Sequence, residues 1–177
     1  QSSVIEMLYS QPNIPAFVWS RPLSFVPGSH FNYSSGDSNL LMRVLRGAIG
    51  EEKYSQFPWA ELFDRVGMKS AVMERDDENN FIASSYLHIT PRDMAKLGLL
   101  FLNDGVWNKE RILPQNWVFE STQIVPSFQQ TPKNQDHEDL SPGYHLWVNR
   151  DDPQRGIKPA LIDVPTGTYA ALGHWGQ

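Results

Sequence analysis

The stretch FNYSSGDSNLL, Phe31 to Leu41, places a tyrosine two residues before a Ser-Gly pair, where an apolar helical run begins. Two readings compete for it. In one, Ser35 or Asp37 caps the helix and Tyr33 packs against it. In the other, Tyr33 and Ser35 are working groups of a catalytic cleft. Unpaired amides and the helix dipole favour negative charge at that end, so a phenol there is easier to ionise and suits a proton shuttle. The stretch by itself leaves both open.

Working outward, apolar residues Leu40, Leu41, Val44, Leu45 and Ile49 follow helical spacing from Asp37, and Gly47 and Gly50 mark the fraying end. Upstream, residues 1–30 read as a short helix followed by a loop punctuated by Pro12, Pro15, Pro22 and Pro27-Gly28. Downstream, Pro58 opens a helix through Trp59, Leu62, Phe63 and Val66 to Gly67. A clearer one has Thr90 as cap, then Pro91 and Asp93, with Met94, Leu97, Leu100 and Phe101 on one face until Gly105. A fourth begins at Pro114 and carries Trp117 and Val118. Residues 126–142 are polar and predict a long surface loop. Tyr144, Leu146 and Val148 then alternate with His145, Trp147 and Asn149, which predicts a strand, and Tyr169 to Gln177 reads as the approach to another.

The bulk numbers bound the function. The 177 residues are 40% hydrophobic and 20% charged, ordinary globular composition with room for one core. A net charge of -5 and no basic stripe argue against a nucleic-acid partner. No apolar run is long enough to span a bilayer. Without cysteine there are no disulfides and no thiolate metal sites.

Several sites can be dismissed. The hydrolase elbow G-x-S-x-G does not occur, since Asn32 stands two before Ser34. The five histidines lack metal-ligand spacing, no H-E-x-x-H is present, and no glycine-rich phosphate loop occurs, so neither metal nor cofactor is expected. The run DHED, Asp136–Asp139, reads as solvated charge in a polar loop, and Asn32-Tyr33-Ser34 matches a glycosylation sequon by only three residues. One other stretch survives. GHWGQ, Gly173 to Gln177, sets a histidine between glycines that let backbone approach closely and leave amides free to donate. Its bland alternative is a glycine-rich strand end with an aromatic plug.

In this order, PGSHFNYSSGDSNLL and GHWGQ resemble the second and third motifs of the serine β-lactamase and penicillin-binding-protein superfamily. Within it, the likeness is to class C-like serine hydrolases and esterases, the branch that includes 6-aminohexanoate-dimer hydrolase. The intervening LFDRVGM, SSYLHITPRDMAKLGLLFLNDGVW and ERILPQNWV are similar to the helical segment of that group, so the resemblance covers nearly the whole chain. Tyr33 matches the tyrosine of Tyr-x-Asn, with Ser35 where Asn is common. His174 stands in the lysine position of Lys-Thr-Gly, and Gly176 is its glycine. The Ser-x-x-Lys motif has no match here. The residues three before Lys53, Lys69, Lys96, Lys109, Lys133 and Lys158 are Gly50, Val66, Asp93, Val106, Gln130 and Arg155.

The resemblance implies an α+β fold of the β-lactamase/transpeptidase type, here mainly its helical segment plus the start of the antiparallel sheet. It implies that residues 1–177 are an internal fragment of one such domain: 1–125 mostly helical, 126–142 a polar loop, 143–177 the beginning of the sheet. The nucleophile would lie before Gln1, and the chain alone would be inactive. It further implies catalytic Tyr33, Ser35 and His174, with Gly176 and the Gln177 amide at the oxyanion side, acting on a small amide or ester. His in place of Lys leans toward esterase or amidase chemistry rather than strong β-lactamase activity. The sequence does not fix the compartment, and only analogy with the family points to export. The rival from another class is a non-catalytic penicillin-recognition-like binding or sensor module. A third reading is a stable helical core, with Trp59, Trp107, Trp117 and Trp147 mostly buried.

Overall fold

The computed structural model describes residues 3–132 and 141–173. Contacts group Gln1–Leu23 with Tyr33–Ile112 as one compact unit, and Ser24–Asn32 with Leu113–Gln177 as a second.

The first unit is mainly helical. The expected single N-terminal helix is two: α1, Ser3–Ser10, and α2, Ile14–Trp19. Asn13 separates them because its side chain accepts from the Ala16 amide (3.0 Å), and Pro15 is tolerated where no helical partner is lost. Helix α3, Ser35–Ile49, ends at Gly50 with φ 81°, a conformation glycine adopts without steric cost. The short α4, Glu51–Tyr54, follows. The helix expected from Pro58 contains a π-helical turn, Trp59–Phe63, which runs into α5, Asp64–Val66. Its end is a Schellman motif: Gly67 sits at φ 74°, its amide donates to Asp64 (3.1 Å), and the Met68 amide donates to Phe63 (2.7 Å).

Helix α6, Pro91–Leu102, starts as its sequence predicts and stops earlier, with left-handed Asp104 and a Gly105 amide bonded to Leu100 (2.8 Å). Of its expected apolar face, Leu100 is fully buried while Met94 is half exposed. Two short antiparallel hairpins complete the unit. Strand β1, Val72–Met73, pairs with β2, Leu87–His88, and β3, Val106–Trp107, pairs with β4, Glu110–Arg111. One apolar cluster gathers Met7, Ile14 and Ile82 with Phe17, Val18 and Tyr86. Tyr54, Phe63, Val66, Met68, Phe81 and Leu100 are also buried.

The second unit departs further from expectation. Its helix α7 is Trp117–Ser121, with left-handed Asn116 ahead of it, so Pro114 precedes the helix rather than opening it. The expected polar loop begins with a 3-10 helix, Pro126–Gln130, that buries Phe128, and it closes with strand β5, Ser141–Pro142. Asp136–Asp139 fall outside the described residues. The alternation from Tyr144 to Val148 is no strand over most of its length. The Gly143 amide donates to Leu146 (2.7 Å), His145 has φ 57°, and only β6, Trp147–Val148, is extended. Strand β6 lies between β5 and β7, Tyr169–Ala170, both antiparallel to it.

This unit's core is largely polar. Asn149, Asp152 and Arg155 are buried beside Phe128 and Val148. Asn149 clamps the backbone of Leu161 with both halves of its amide, at 3.0 Å each. Among the four named tryptophans Trp117 is 40% exposed and the others are half-buried, so none is full core.

Candidate functional site

The N-terminal turn of α3 carries the described part of the site. Ser34 is the N-cap: its backbone is extended (φ -134°, ψ 113°) and its hydroxyl accepts from the Asp37 amide at 3.1 Å. That corrects the sequence reading, which gave the cap to Ser35 or Asp37. The helix begins two residues earlier than Asp37, because Ser34 already satisfies an orphan amide of the first turn. Asp37 stays in that turn, where its charge complements the dipole. Ser35, freed from capping, is the first helical residue and is half-buried.

Tyr33 stands just outside the helix and is 60% exposed. The cap of the first reading falls on Ser34, with Tyr33 and Ser35 on either side of it. Such a pair can present a proton-bearing oxygen and a second hydroxyl to an approaching ligand.

Two residues that sequence reasoning missed seat this turn. Gly36 lies against α2, and a Cβ there would sit 3.4 Å from both methyls of Val18. Asn39 is 1% exposed and is the buried residue of α3. Its Oδ1 accepts from the amides of Ala83 (2.9 Å) and Ser84 (3.2 Å), and its Nδ2 donates to Ser84 Oγ (3.0 Å). The signal was present in the sequence, since an Asn inside an apolar helical run is a poor helix former and needs a reason to be there. Nearby, Tyr86 holds φ 61°, rare for a bulky side chain, with its ring edge-on to Tyr9 at 6.4 Å. A hydrogen bond to Tyr9, helped by desolvation, pushes the Tyr86 phenol up to about 12.

His174, Gly176 and Gln177 lie outside the described residues, so Tyr33 and Ser35 are the two predicted site residues with a described position. Among the described residues no group of three or more His, Cys, Asp or Glu could hold a metal ion. Among the same residues no helix is long and apolar enough to cross a membrane.

A second polar cluster, at the start of α6, is structural. Asp93 is buried, and its carboxylate accepts from the Ser70 amide (2.8 Å), the Ser70 hydroxyl (2.6 Å) and Lys96 Nζ (2.8 Å). Lys96, then Ser70, hold its pKa down to about 2. Thr90 caps the same turn, and Lys96 also donates to the Gly67 carbonyl. The sequence had assigned Asp93 only the complementing of a dipole.

The Beta-lactamase family model matches residues 3–177. The fold agrees with a crystal structure of a provisionally named beta-lactamase from Bacteroides dorei DSM 17855, at TM-score 0.64 and 16% identity. That match covers 84% of this chain and 48% of the other, so the chain spans about half the length of that solved protein. No curated protein sequence matches. Helices with short antiparallel sheets, and a family match over almost every residue, define an α+β chain of the β-lactamase-like fold. The chain belongs to the beta-lactamase family.

Proposed function

We propose that residues 1–177 are part of one β-lactamase-related domain whose full-length protein cleaves small amide or ester bonds through an acyl-enzyme. The observation that carries this reading is Tyr33: an exposed phenol directly ahead of a helix capped by Ser34, in a chain the family matches over residues 3–177. In the proposed reaction a serine outside these residues attacks the carbonyl carbon. Its proton passes by way of Tyr33 to the leaving group, which departs as an amine or alcohol. Water then attacks the acyl carbon as Tyr33 takes its proton, the bond from that carbon to the serine oxygen breaks, and Tyr33 returns the proton to that oxygen as the acid leaves. Ser35 hydrogen-bonds the substrate, and His174 helps to orient it. The Gln177 amide and that of the nucleophile stabilise the oxyanion, a single such donor being worth about 3 kcal/mol of barrier. None of the six lysines in this chain follows a serine by three residues, so on this reading the 177 residues alone are inactive.

The test is intact mass after incubating the full-length protein, and this chain beside it, with a fluorophosphonate probe and with a penicillin. The expected result is one adduct on the full-length protein, mapping outside residues 1–177, and none on the chain. Slow loss of the penicillin adduct would favour a penicillin-binding protein over a β-lactamase. No adduct on either would replace the enzyme with a binding module. An adduct at Ser34 or Ser35 would refute the assignment of Tyr33.

A further inference from the structure

Helix α3 is seated at two points close to Tyr33. Gly36 and Asn39 are three residues apart and project about 60° apart around the helix, so the contacts come from adjacent sides. On one side α2 lies against Gly36, where a Cβ would meet both methyls of Val18 at 3.4 Å, the near limit of ordinary van der Waals contact. On the other, Asn39 makes three hydrogen bonds to the Ala83–Ser84 turn. Neither residue is there for the helix itself, since both are worse helix formers than alanine. The Val18 contact fixes how near α3 lies to α2. The Asn39 bonds fix its rotation and its slide along the axis, because either motion breaks a directional bond to a backbone amide of Ala83 or Ser84.

We propose that Asn39 and Gly36 are positioning residues for Tyr33. They set the rotation and register of the first turn of α3, and so the place from which the phenol exchanges its proton. This inference rests on the acyl-transfer reading above. It assigns to residues outside the motif a part of the placement that proton transfer demands, where a shift of about 1 Å can cost about 100-fold in rate.

The experiment uses the full-length protein, with steady-state hydrolysis of p-nitrophenyl acetate and circular dichroism to select a temperature at which each variant is folded. Asn39→Ala is expected to lower kcat at least about tenfold with KM changed less than about twofold, the split that marks a loss made in the transition state. Asn39→Asp keeps the acceptor for both amides and should recover most of that kcat. Gly36→Ala should also lower kcat. The double variant Gly36→Ala/Val18→Ala, which lacks the methyls the new Cβ meets, should recover part of the kcat that Gly36→Ala alone loses. Folded Asn39→Ala with wild-type kcat, or a Gly36→Ala loss that Val18→Ala leaves in place, would overturn the inference and leave these residues only packing roles. Should Asn39→Ala fail to fold, the Gly36/Val18 cycle decides. A wild-type protein with neither turnover nor a fluorophosphonate adduct would sink the hydrolase reading first. A working wild type with indifferent variants removes only the positioning.

Discussion

Replacing Tyr54 with phenylalanine removes one oxygen from the first unit and isolates one buried amide. Tyr54 and Phe81 are 2% and 1% exposed, with ring centroids 5.0 Å apart, and the Phe81 N–H donates to the Tyr54 hydroxyl at 2.8 Å. The hairpin around Phe81 cannot take over that bond. Its flanking amides pair across the turn, Asp76 with Asn80 (3.0 Å) and Ile82 with Glu74 (3.1 Å), so the Phe81 amide points away from the opposite strand. Tyr54→Phe keeps the ring, the Trp59–Phe81 contact at 5.8 Å and the Arg75 guanidinium over Phe81 at 4.2 Å. What is lost is the acceptor, and an orphaned buried donor costs about 1–3 kcal/mol. A loss near 2 kcal/mol would lower Tm by about 4–8 °C in a domain of about 150–250 residues, and by less in a larger one.

The assay is urea unfolding of the full-length protein followed by tryptophan fluorescence, with hydrogen exchange read at the Phe81 amide. There is a pH signature as well. Burial raises the Tyr54 phenol above its ordinary 10.0, the amide bond partly opposing it, so the folded state holds that proton more tightly than the unfolded one. Its contribution is complete below pH 10, is lost as pH rises through the folded value, and is missing in Tyr54→Phe. A loss under about 0.5 kcal/mol, with Phe81 still protected from exchange, would show that the amide finds another acceptor and would refute the reasoning.

Two further perturbations separate local causes. Lys96 and Ser70 hold Asp93 down to about 2 from its ordinary 3.8, so the stability it contributes is present above about pH 4 and is lost as pH falls through about 2. Urea midpoints should therefore show Asp93→Asn well below wild type at pH 5 and converging on it toward pH 2; a gap constant across that range would contradict the linkage. Among the glycines, Gly143→Ala should destabilise by about 1–3 kcal/mol or more, since a Cβ there meets the backbone oxygen of Ser121, which cannot swing aside as a side chain would. Gly47→Ala, in exposed α3 with nothing within 4 Å, should instead stabilise by about 0.5–1 kcal/mol. Thermal melts of the two variants check both signs.

What could be read from the sequence was what is encoded locally. Helix α6 announced itself because its cap, its first-turn proline and its acidic residue lie within four positions, and the structure uses all three. The π-helical turn at Trp59–Phe63 was not legible, because its apolar residues suit a regular helix equally well. Hairpins of two-residue strands have no period to detect, and β1–β2 and β3–β4 were missed for that reason. Tyr144–Val148 misled in the opposite way. Its alternation is real, but His145 takes a left-handed conformation that no glycine signals, and the segment turns where it was read as extended. At the candidate site, the motif pointed to Tyr33 and Ser35, while the cap went to Ser34 because the choice among three neighbouring polar residues depends on backbone angles.

Helix α3 shows why a correct helix can still carry the wrong inside. Its apolar residues repeat with helical spacing, yet Leu41 and Val44 are 52% and 63% exposed, and they project from the side roughly opposite the buried Asn39. Periodicity finds a face. It does not say which neighbour meets the helix, and here the neighbours α2 and the Ala83–Ser84 turn meet it through a hydrogen atom and an amide. The more telling marks in FNYSSGDSNLL were the residues a helix disfavours. Glycine costs about 1 kcal/mol against alanine in a helix interior, and asparagine about half that; Gly47 bears that cost with no contact, whereas Gly36 and Asn39 each meet a neighbour. Gly36 meets Val18 and Asn39 meets Ala83 and Ser84, both close to the exposed phenol of Tyr33 along the chain. Among the residues that work against this helix, those that also carry a tertiary contact, Gly36 and Asn39 but not Gly47, mark where its geometry is set.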